Sequence, residues 1–132
     1  MTSSRALLAA AAAVLALPAA PALARTVTLS AKSNGRTVSL HKGDRVVVRL
    51  DANSSTGYRW STTRHPNRRV VRLDSSKYVA TPTSEPIAGS GGTQVVRLTA
   101  RGRGRTSFAL AYLSPGTPHT VGQRFRVTFR VR

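Results

Sequence analysis

The amino-acid sequence predicts an all-β protein, folded as a β-sandwich of about seven to nine short antiparallel strands. Beyond the N-terminal segment, apolar and polar residues alternate with a period of two, and β-branched residues dominate the alternating stretches. No stretch there repeats apolar residues with the period of a helix. Most glycines and prolines lie between the alternating stretches, where they favour turns.

The N-terminal segment, residues 1–24, is predicted to be a signal peptide that is removed from the mature protein. It carries a positive charge at Arg5, an apolar run over residues 6–17 and the small residues Ala22 and Ala24 around Leu23. The run is too short to span a bilayer, and the small residues favour cleavage after Ala24. The chain has no cysteine for lipid attachment. We therefore expect a secreted or periplasmic protein without a membrane span.

Residues 25–132 are predicted to form one domain, because the 108 of 132 residues that remain support a single hydrophobic core. The strand pattern occurs at residues 27–31, 37–41, 45–51, 58–63, 70–74, 77–80, 93–100, 106–113 and 123–131. Between the first two strands, Asn34-Gly35 is a strong hairpin signal. The absence of cysteine excludes disulfides, so packing must stabilise the domain.

The predicted domain is strongly basic. The chain has 21 Lys and Arg residues against 4 Asp and Glu, and loss of Arg5 with the signal peptide leaves a net charge of +16. Such a field favours polyanions as partners. Along residues 124–132, however, arginines alternate with apolar residues, which is typical of a sheet with one solvated face. Few aromatic residues are interleaved with the basic ones, so base stacking has little support.

Catalytic and metal-binding residue patterns are missing from the sequence. The histidines are His41, His65 and His119, and the acidic residues are Asp44, Asp51, Asp74 and Glu85. The spacing of the histidines does not match a zinc site, and each acidic residue is consistent with a turn or a strand end. No strand-turn-helix elbow presents a nucleophilic serine. We therefore predict no enzymatic activity, no metal and no cofactor.

A loop between the third and fourth predicted strands carries the most informative sequence. Its residues are Asn53, Ser54, Ser55, Thr56, Gly57 and Tyr58. Asn and Ser can bond their own backbone and fix a tight loop, and Gly57 permits a positive φ or the close approach of another segment. Tyr58 and Trp60 point to the same face, and Trp60 is predicted to lie in the core.

Two further loops have glycine and proline at turn positions. One contains Gly89, Ser90, Gly91 and Gly92, and the other contains Ser114, Pro115 and Gly116 after a strand that bears Tyr112. The glycine-rich loop is not predicted to hold a nucleotide, because a strand follows it and not a helix N-terminus.

In these three loops the chain resembles the chagasin-like family of inhibitors of papain-family cysteine peptidases. The family's first loop reads Asn-Pro-Thr-Thr-Gly-Tyr/Phe followed by x-Trp, and its second reads Gly-x-Gly-Gly. The first is matched at Asn53, Thr56, Gly57, Tyr58 and Trp60, with Ser54 and Ser55 in place of the proline and the first threonine, and the second is matched at residues 89–92. The third loop, typically Arg-Pro-Trp/Phe, keeps only Pro115, with Ser114 and Gly116 in place of the arginine and the aromatic residue.

The resemblance implies an immunoglobulin-like sandwich that acts as a monomer and inhibits reversibly, without a covalent bond. Three loops at one end would enter the cleft of a papain-like cysteine peptidase. Ser55 and Thr56 would approach the catalytic cysteine, and Gly57 would let the backbone pass closely. Residues 89–92 would lie along the cleft, and residues 114–116 would meet its far wall. Without the aromatic anchor, we expect either that binding to papain-like enzymes is weaker by about tenfold or more or that the cognate target differs.

Two other functions compete with inhibition. A noncatalytic module that binds extracellular polyanions or the cell envelope is suggested by the positive charge, and it is compatible with inhibition. A secreted enzyme has the least support, because no acid, base or metal cluster converges.

Overall fold

The chain folds into eight strands, seen in a computed structural model that describes residues 12–13, 23–82 and 91–132. The strands are β1 (Thr26–Leu29), β2 (Thr37–Leu40), β3 (Arg45–Ala52), β4 (Arg59–Arg64), β5 (Val71–Ala80), β6 (Gly92–Ala100), β7 (Gly104–Leu113) and β8 (Val121–Val131). Two short 3-10 helices lie at Ala31–Ser33 and Ser54–Thr56. Among the described residues, no helix is long and apolar enough to cross a membrane.

Two four-stranded sheets pack face to face, which confirms the predicted β-sandwich. The first sheet has the order β1-β3-β6-β5, and the second has the order β2-β8-β7-β4. Alternating residues of both sheets meet in one core, where Phe108, Phe125 and Phe129 are fully buried. On β8 the intervening arginines face solvent, as the alternation predicts.

Four strand pairs are antiparallel, as predicted, and two are parallel. The edge strands β1 and β2 run parallel to β3 and β8 respectively. The chain crosses from the first sheet to the second between β1 and β2, so Asn34-Gly35 does not close a hairpin between them, and that prediction is wrong. Instead, the Arg126 amide donates to Asn34 Oδ1 at 2.8 Å, and the Gly35 amide donates to the Arg126 carbonyl at 2.7 Å. The turn residues thus tie the crossing to β8.

The predicted strands at residues 70–74 and 77–80 form one continuous strand, β5. Its register against β6 shifts between Leu73 and Ser75, which marks a bulge. Leu73 lies opposite Leu98 before the bulge, and Ser76 lies opposite Val96 after it. The extra residue reverses the phase of the alternation, and the sequence pattern therefore resembles two strands where there is one.

The three loops singled out in the sequence leave the same end of the sandwich. In the first sheet, the last residue of β3 (Ala52) and the last residue of β5 (Ala80) both pair with Gly92, the first residue of β6. In the second sheet, Leu113 at the end of β7 pairs with Arg59 and Val121, the first residues of β4 and β8. The connections at residues 53–58 and 114–120, and the chain that leaves β5 at Ala80 and re-enters β6 at Gly92, therefore lie at the same end.

Candidate functional site

The loop at residues 53–58 is organised by its own polar side chains. Asn53 is the N-cap of the 3-10 helix Ser54–Thr56, and its Oδ1 accepts hydrogen bonds from the amide and the hydroxyl of Ser55. Thr56 Oγ1 donates to the Asn53 carbonyl at 2.7 Å and accepts from the Tyr58 amide at 3.3 Å. Ser54, Ser55 and Thr56 are exposed. The predicted tight loop is confirmed, with its small hydroxylic residues at the tip.

Three aromatic rings support this loop from below. The Tyr112 ring lies between Tyr58 and Trp60, with ring centroids 5.2 Å and 5.0 Å away. Trp60 is only 8% exposed and donates its indole N–H to the Asp51 carbonyl at 3.0 Å, so its predicted place in the core is confirmed. The Tyr112 hydroxyl accepts a hydrogen bond from the Asn53 amide at 2.8 Å. The rigid sheet therefore holds the first residue of the loop directly.

The first and third loops touch at Gly57. This residue adopts a left-handed conformation with φ +77° and ends the 3-10 helix, as the sequence predicts for a glycine there. A Cβ added at Gly57 would lie 3.0 Å from Pro115 Cγ and 3.2 Å from Pro115 Cβ. Both the conformation and the space therefore favour glycine at position 57.

The third loop is closed by Ser114 and Thr120. The Ser114 amide donates to the Thr120 carbonyl at 2.9 Å, and the Thr120 amide donates to Ser114 Oγ at 2.7 Å. His119 Nδ1 lies 2.7 Å from the Ser114 carbonyl. Gly116 has φ +94°, and a Cβ there would meet no atom within 4 Å. Pro115 and Gly116 form an exposed tip without an aromatic side chain.

The second loop is described only at its C-terminal end. Gly89 and Ser90 lie outside the described residues, whereas Gly91 and Gly92 begin the return into β6. The Gly91 carbonyl accepts a hydrogen bond from the Thr81 amide at 3.1 Å. A Cβ at Gly92 would lie 2.5 Å from the Val79 carbonyl oxygen and 2.6 Å from the Tyr78 ring. Gly92 is thus needed for packing at the base of the loop.

The structure adds residues to the site that sequence reasoning did not identify. The sequence pattern places Tyr112 on a strand, but it does not indicate that the Tyr112 hydroxyl accepts a hydrogen bond from the Asn53 amide, 59 positions away. Gly122 lies beneath Tyr58, and a Cβ there would come within 3.2 Å of the Tyr58 ring. Ser114 was predicted at the third loop, but its partners Thr120 and His119 were not. Among the described residues, no group of three metal-ligating side chains converges, and the loop tips offer hydroxyl and backbone groups for contact with another molecule.

Comparison with protein families and curated proteins gives matches over most of the chain. Residues 39–131 match the family described as Chagasin family peptidase inhibitor I42. The chain is 28% identical to Chagasin of Trypanosoma cruzi over 99 residues, which cover 71% of this chain and 87% of that protein. It is 24% identical to Amoebiasin-1 of Entamoeba histolytica over 106 residues, which cover 80% of this chain and all of that protein.

Solved structures share the fold. The crystal structure of a cysteine protease inhibitor from Entamoeba histolytica superimposes with a TM-score of 0.70 at 20% identity, over 82% of this chain and 96% of that one. PbICP-C, solved in complex with falcipain-2, superimposes with a TM-score of 0.54 at 16% identity, over 81% of this chain and 97% of that one. These matches show a shared β-sandwich fold.

Proposed function

The chain belongs to the chagasin family of peptidase inhibitors, and from this premise we propose that it inhibits papain-like cysteine peptidases reversibly, by inserting loops of one sandwich end into the active-site cleft. The family consists of inhibitors and not enzymes, in agreement with the prediction of a non-enzymatic protein. Chagasin is 28% identical to this chain, and a structure with the same fold has been solved in complex with falcipain-2. The target class follows from these relatives.

The observation that carries the proposal is the ordered first loop at the end where three loops emerge. Asn53 and Thr56 bond within the loop, and Tyr112 bonds the loop to the sheet. A loop ordered before binding loses little conformational entropy in the complex. The exposed hydroxyls of Ser55 and Thr56 would approach the catalytic cysteine, with Gly57 allowing close passage of the backbone. No covalent bond with the peptidase is needed.

The two other loops would complete the contact on either side. Gly92 is the first residue of β6, directly after the second loop, and residues 89–92 would lie along the cleft. Pro115 rests against Gly57, which would bring residues 114–116 to the opposite wall. The Ser114–Gly116 tip offers no large anchor of the kind that dominates binding energy. Affinity for papain is therefore expected to be lower than for an inhibitor with an aromatic residue there.

The proposal is tested by titrating papain with residues 25–132 and comparing the Gly57→Glu variant. Glutamate at position 57 should abolish inhibition, because the added side chain meets Pro115 and stands where the backbone must approach the enzyme. Gly35→Glu is the matched control, since Gly35 has φ +80° and open space around it. It adds the same charge and the same backbone strain away from the loops. Absence of inhibition by the unmodified protein at micromolar concentration, for papain and related cathepsins alike, would contradict the proposal.

The inhibitor is further proposed to act outside the cytoplasm, after removal of residues 1–24, as a monomer. The charged start, the apolar run and the small residues before Arg25 support export. The acting form would be residues 25–132, which contain the whole family match at residues 39–131. Mass spectrometry of the exported protein and its elution volume in gel filtration test these two points.

A second candidate function, binding of a phosphate-bearing polyanion, is favoured by the outer face of the second sheet. Strands β2, β4, β7 and β8 contain no acidic residue. Their exposed arginines are Arg59, Arg64, Arg105, Arg124, Arg126 and Arg130. Arg105 lies directly opposite Arg130, and like charges in that position destabilise a sheet unless an anion intervenes. Guanidinium groups suit phosphate because they donate two parallel hydrogen bonds.

A further inference from the structure

Asp44 is the one charged side chain that is buried among the described residues, at 3% exposure. Its Oδ2 accepts hydrogen bonds from the His41 amide at 2.9 Å and from Arg25 Nε at 3.2 Å. Its Oδ1 accepts from the backbone nitrogen of Arg25 at 3.3 Å. A buried carboxylate requires compensating donors, and two of the three donors here belong to Arg25.

The parallel pairing of β1 with β3 brings Arg25 to Asp44. Parallel strands start at the same edge of a sheet, and Thr26 pairs with Arg45, so the residues before them are neighbours. The Arg45 amide donates to the Arg25 carbonyl at 2.9 Å. The Arg25 guanidinium also reaches the second sheet, where Nη2 donates to the Ser39 carbonyl at 2.8 Å. The Arg25 side chain therefore links the start of β1 in the first sheet to β2 in the second sheet.

Arg25 is also the first residue after the predicted cleavage site, and Ala24 is exposed. We propose that cleavage after Ala24 places the new α-ammonium group of Arg25 on the Asp44 carboxylate, so that Asp44 is the receptor for the mature N-terminus. This inference rests on the proposed export and cleavage, and it is independent of peptidase inhibition. It assigns the buried Asp44 carboxylate a role that is separate from the role of the inhibitory loops.

Cleavage changes the chemistry of this contact. Water adds across the Ala24–Arg25 peptide bond, Ala24 leaves with the carboxylate, and the Arg25 nitrogen becomes an amine that takes up a proton. A neutral amide with one donor is thereby replaced by an ammonium with three donors and a positive charge. Charge-assisted hydrogen bonds are shorter and about twice as strong as neutral ones, and burial of the carboxylate strengthens the attraction. The mature chain should therefore be more stable than the precursor.

The contact lies at the end of the sandwich opposite to the loops. β3 begins one residue after Asp44 and ends at Ala52, next to the first loop. Eight residues of extended strand span about 27 Å. Changes at Asp44 should therefore alter stability while leaving peptidase inhibition intact, and the two proposals can fail separately.

The test compares residues 25–132 with a free α-amine and the same chain acetylated at the α-amine, each with Asp44 and with Asp44→Asn. Urea unfolding at neutral pH gives the unfolding equilibrium constant of all four forms. Acetylation should raise the unfolding equilibrium constant about tenfold when Asp44 is present and less than twofold in Asp44→Asn. An equal effect of acetylation in both backgrounds would overturn the proposal. Papain inhibition by the four forms should be unchanged.

A second measurement does not depend on the folding of the Asp44→Asn variant. The α-amine of the free chain is labelled with an acylating reagent, once when native and once in urea. Docking on Asp44 should slow labelling at least tenfold in the native state, and equal rates would contradict the proposal. N-terminal sequencing of the exported protein should begin at Arg25, and any other start would overturn the assignment of Asp44 as the receptor.

Discussion

Gly57 combines a conformational and a steric requirement. Its φ of +77° disfavours any residue with a Cβ, and Pro115 leaves only 3.0 Å for one. We expect Gly57→Ala to lower the free energy of unfolding by more than the 1–2 kcal/mol or so that a left-handed conformation costs, and to weaken papain inhibition. Urea unfolding and inhibition assays measure the two effects.

Gly35→Ala provides the reference for Gly57→Ala, because Gly35 has φ +80° and nothing within 4 Å of an added Cβ. It should cost the conformational part alone and leave inhibition unchanged. Equal destabilisation by the two substitutions would show that the contact with Pro115 contributes nothing.

The carboxyl group of Asp44 makes stability depend on acid pH. Burial raises the pKa of this carboxyl. Hydrogen bonds from the His41 and Arg25 backbone and from the Arg25 guanidinium lower the pKa by more than burial raises it, so that it lies below the usual 3.8. The native state then binds this proton less readily than the unfolded state, so its contribution is present above about pH 4 and is lost as the pH falls through the native pKa. The free energy of unfolding should decline below pH 4, and less steeply in Asp44→Asn. The free energy of unfolding is measured by urea unfolding at each pH. An equal decline with falling pH in the unmodified protein and in Asp44→Asn would contradict this expectation.

The first loop is bonded to β7 through the Tyr112 hydroxyl. Tyr112→Phe keeps the ring between Tyr58 and Trp60 and removes the acceptor of the Asn53 amide. We expect a loss of about 1 kcal/mol in stability, since a net hydrogen bond contributes about that much, together with weaker inhibition. Amide hydrogen exchange should become about fivefold faster at Asn53.

Tyr58→Phe is the control for Tyr112→Phe, because it also removes one tyrosine hydroxyl and keeps the ring 5.2 Å from Tyr112. Exchange at the Asn53 amide should not change in this variant. Unchanged exchange in Tyr112→Phe would mean that the hydroxyl does not restrain the loop.

The third loop is closed by bonds that use its own residues, and an anchor can be added at its tip. Gly116 has open space around it but φ +94°. Gly116→Trp should increase affinity for papain about tenfold or more, because an interface tryptophan often contributes at least 2 kcal/mol or so, while the strained backbone lowers stability. Gly116→Ala imposes the same strain without the ring. Equal inhibition constants for the two variants would show that this tip does not reach the enzyme.

Strand positions and loop order are predictable from this sequence, whereas long-range partners are not. The limits predicted for β3, β6, β7 and β8 agree with the structure within two residues, because alternation and turn residues are local signals. The left-handed Gly57 is also predicted locally. The parallel pairing of β1 depends on where the chain crosses between sheets, and the bond from Asn53 to Tyr112 joins residues 59 positions apart. Neither leaves a signal in a single local segment.

The positive charge is distributed unequally between the two outer faces of the sandwich. The first sheet carries Asp51 on β3 and Asp74 on β5, where Asp74 is bonded by Arg72 and Thr99. The second sheet has no acidic residue on its strands. The whole chain has a net charge of +17, and net charge by itself would attract polyanions to any face. The effect of how the charge is distributed over the two faces can therefore be tested separately from the effect of the net charge.

Two triple variants separate the contribution of the second sheet's face from that of the net charge. One replaces Arg124, Arg126 and Arg130 of the second sheet by glutamine, and the other replaces Arg45, Arg49 and Arg97 of the first sheet; all six are exposed. Binding to a duplex oligonucleotide, used as a phosphate polymer, is measured against salt concentration. Each lost phosphate contact reduces the slope of log K against log salt by about 0.9, so the first variant should lose about 2.7 and the second much less. Equal losses would assign the binding to net charge and remove the second sheet as a specific surface, because both variants lose the same three charges.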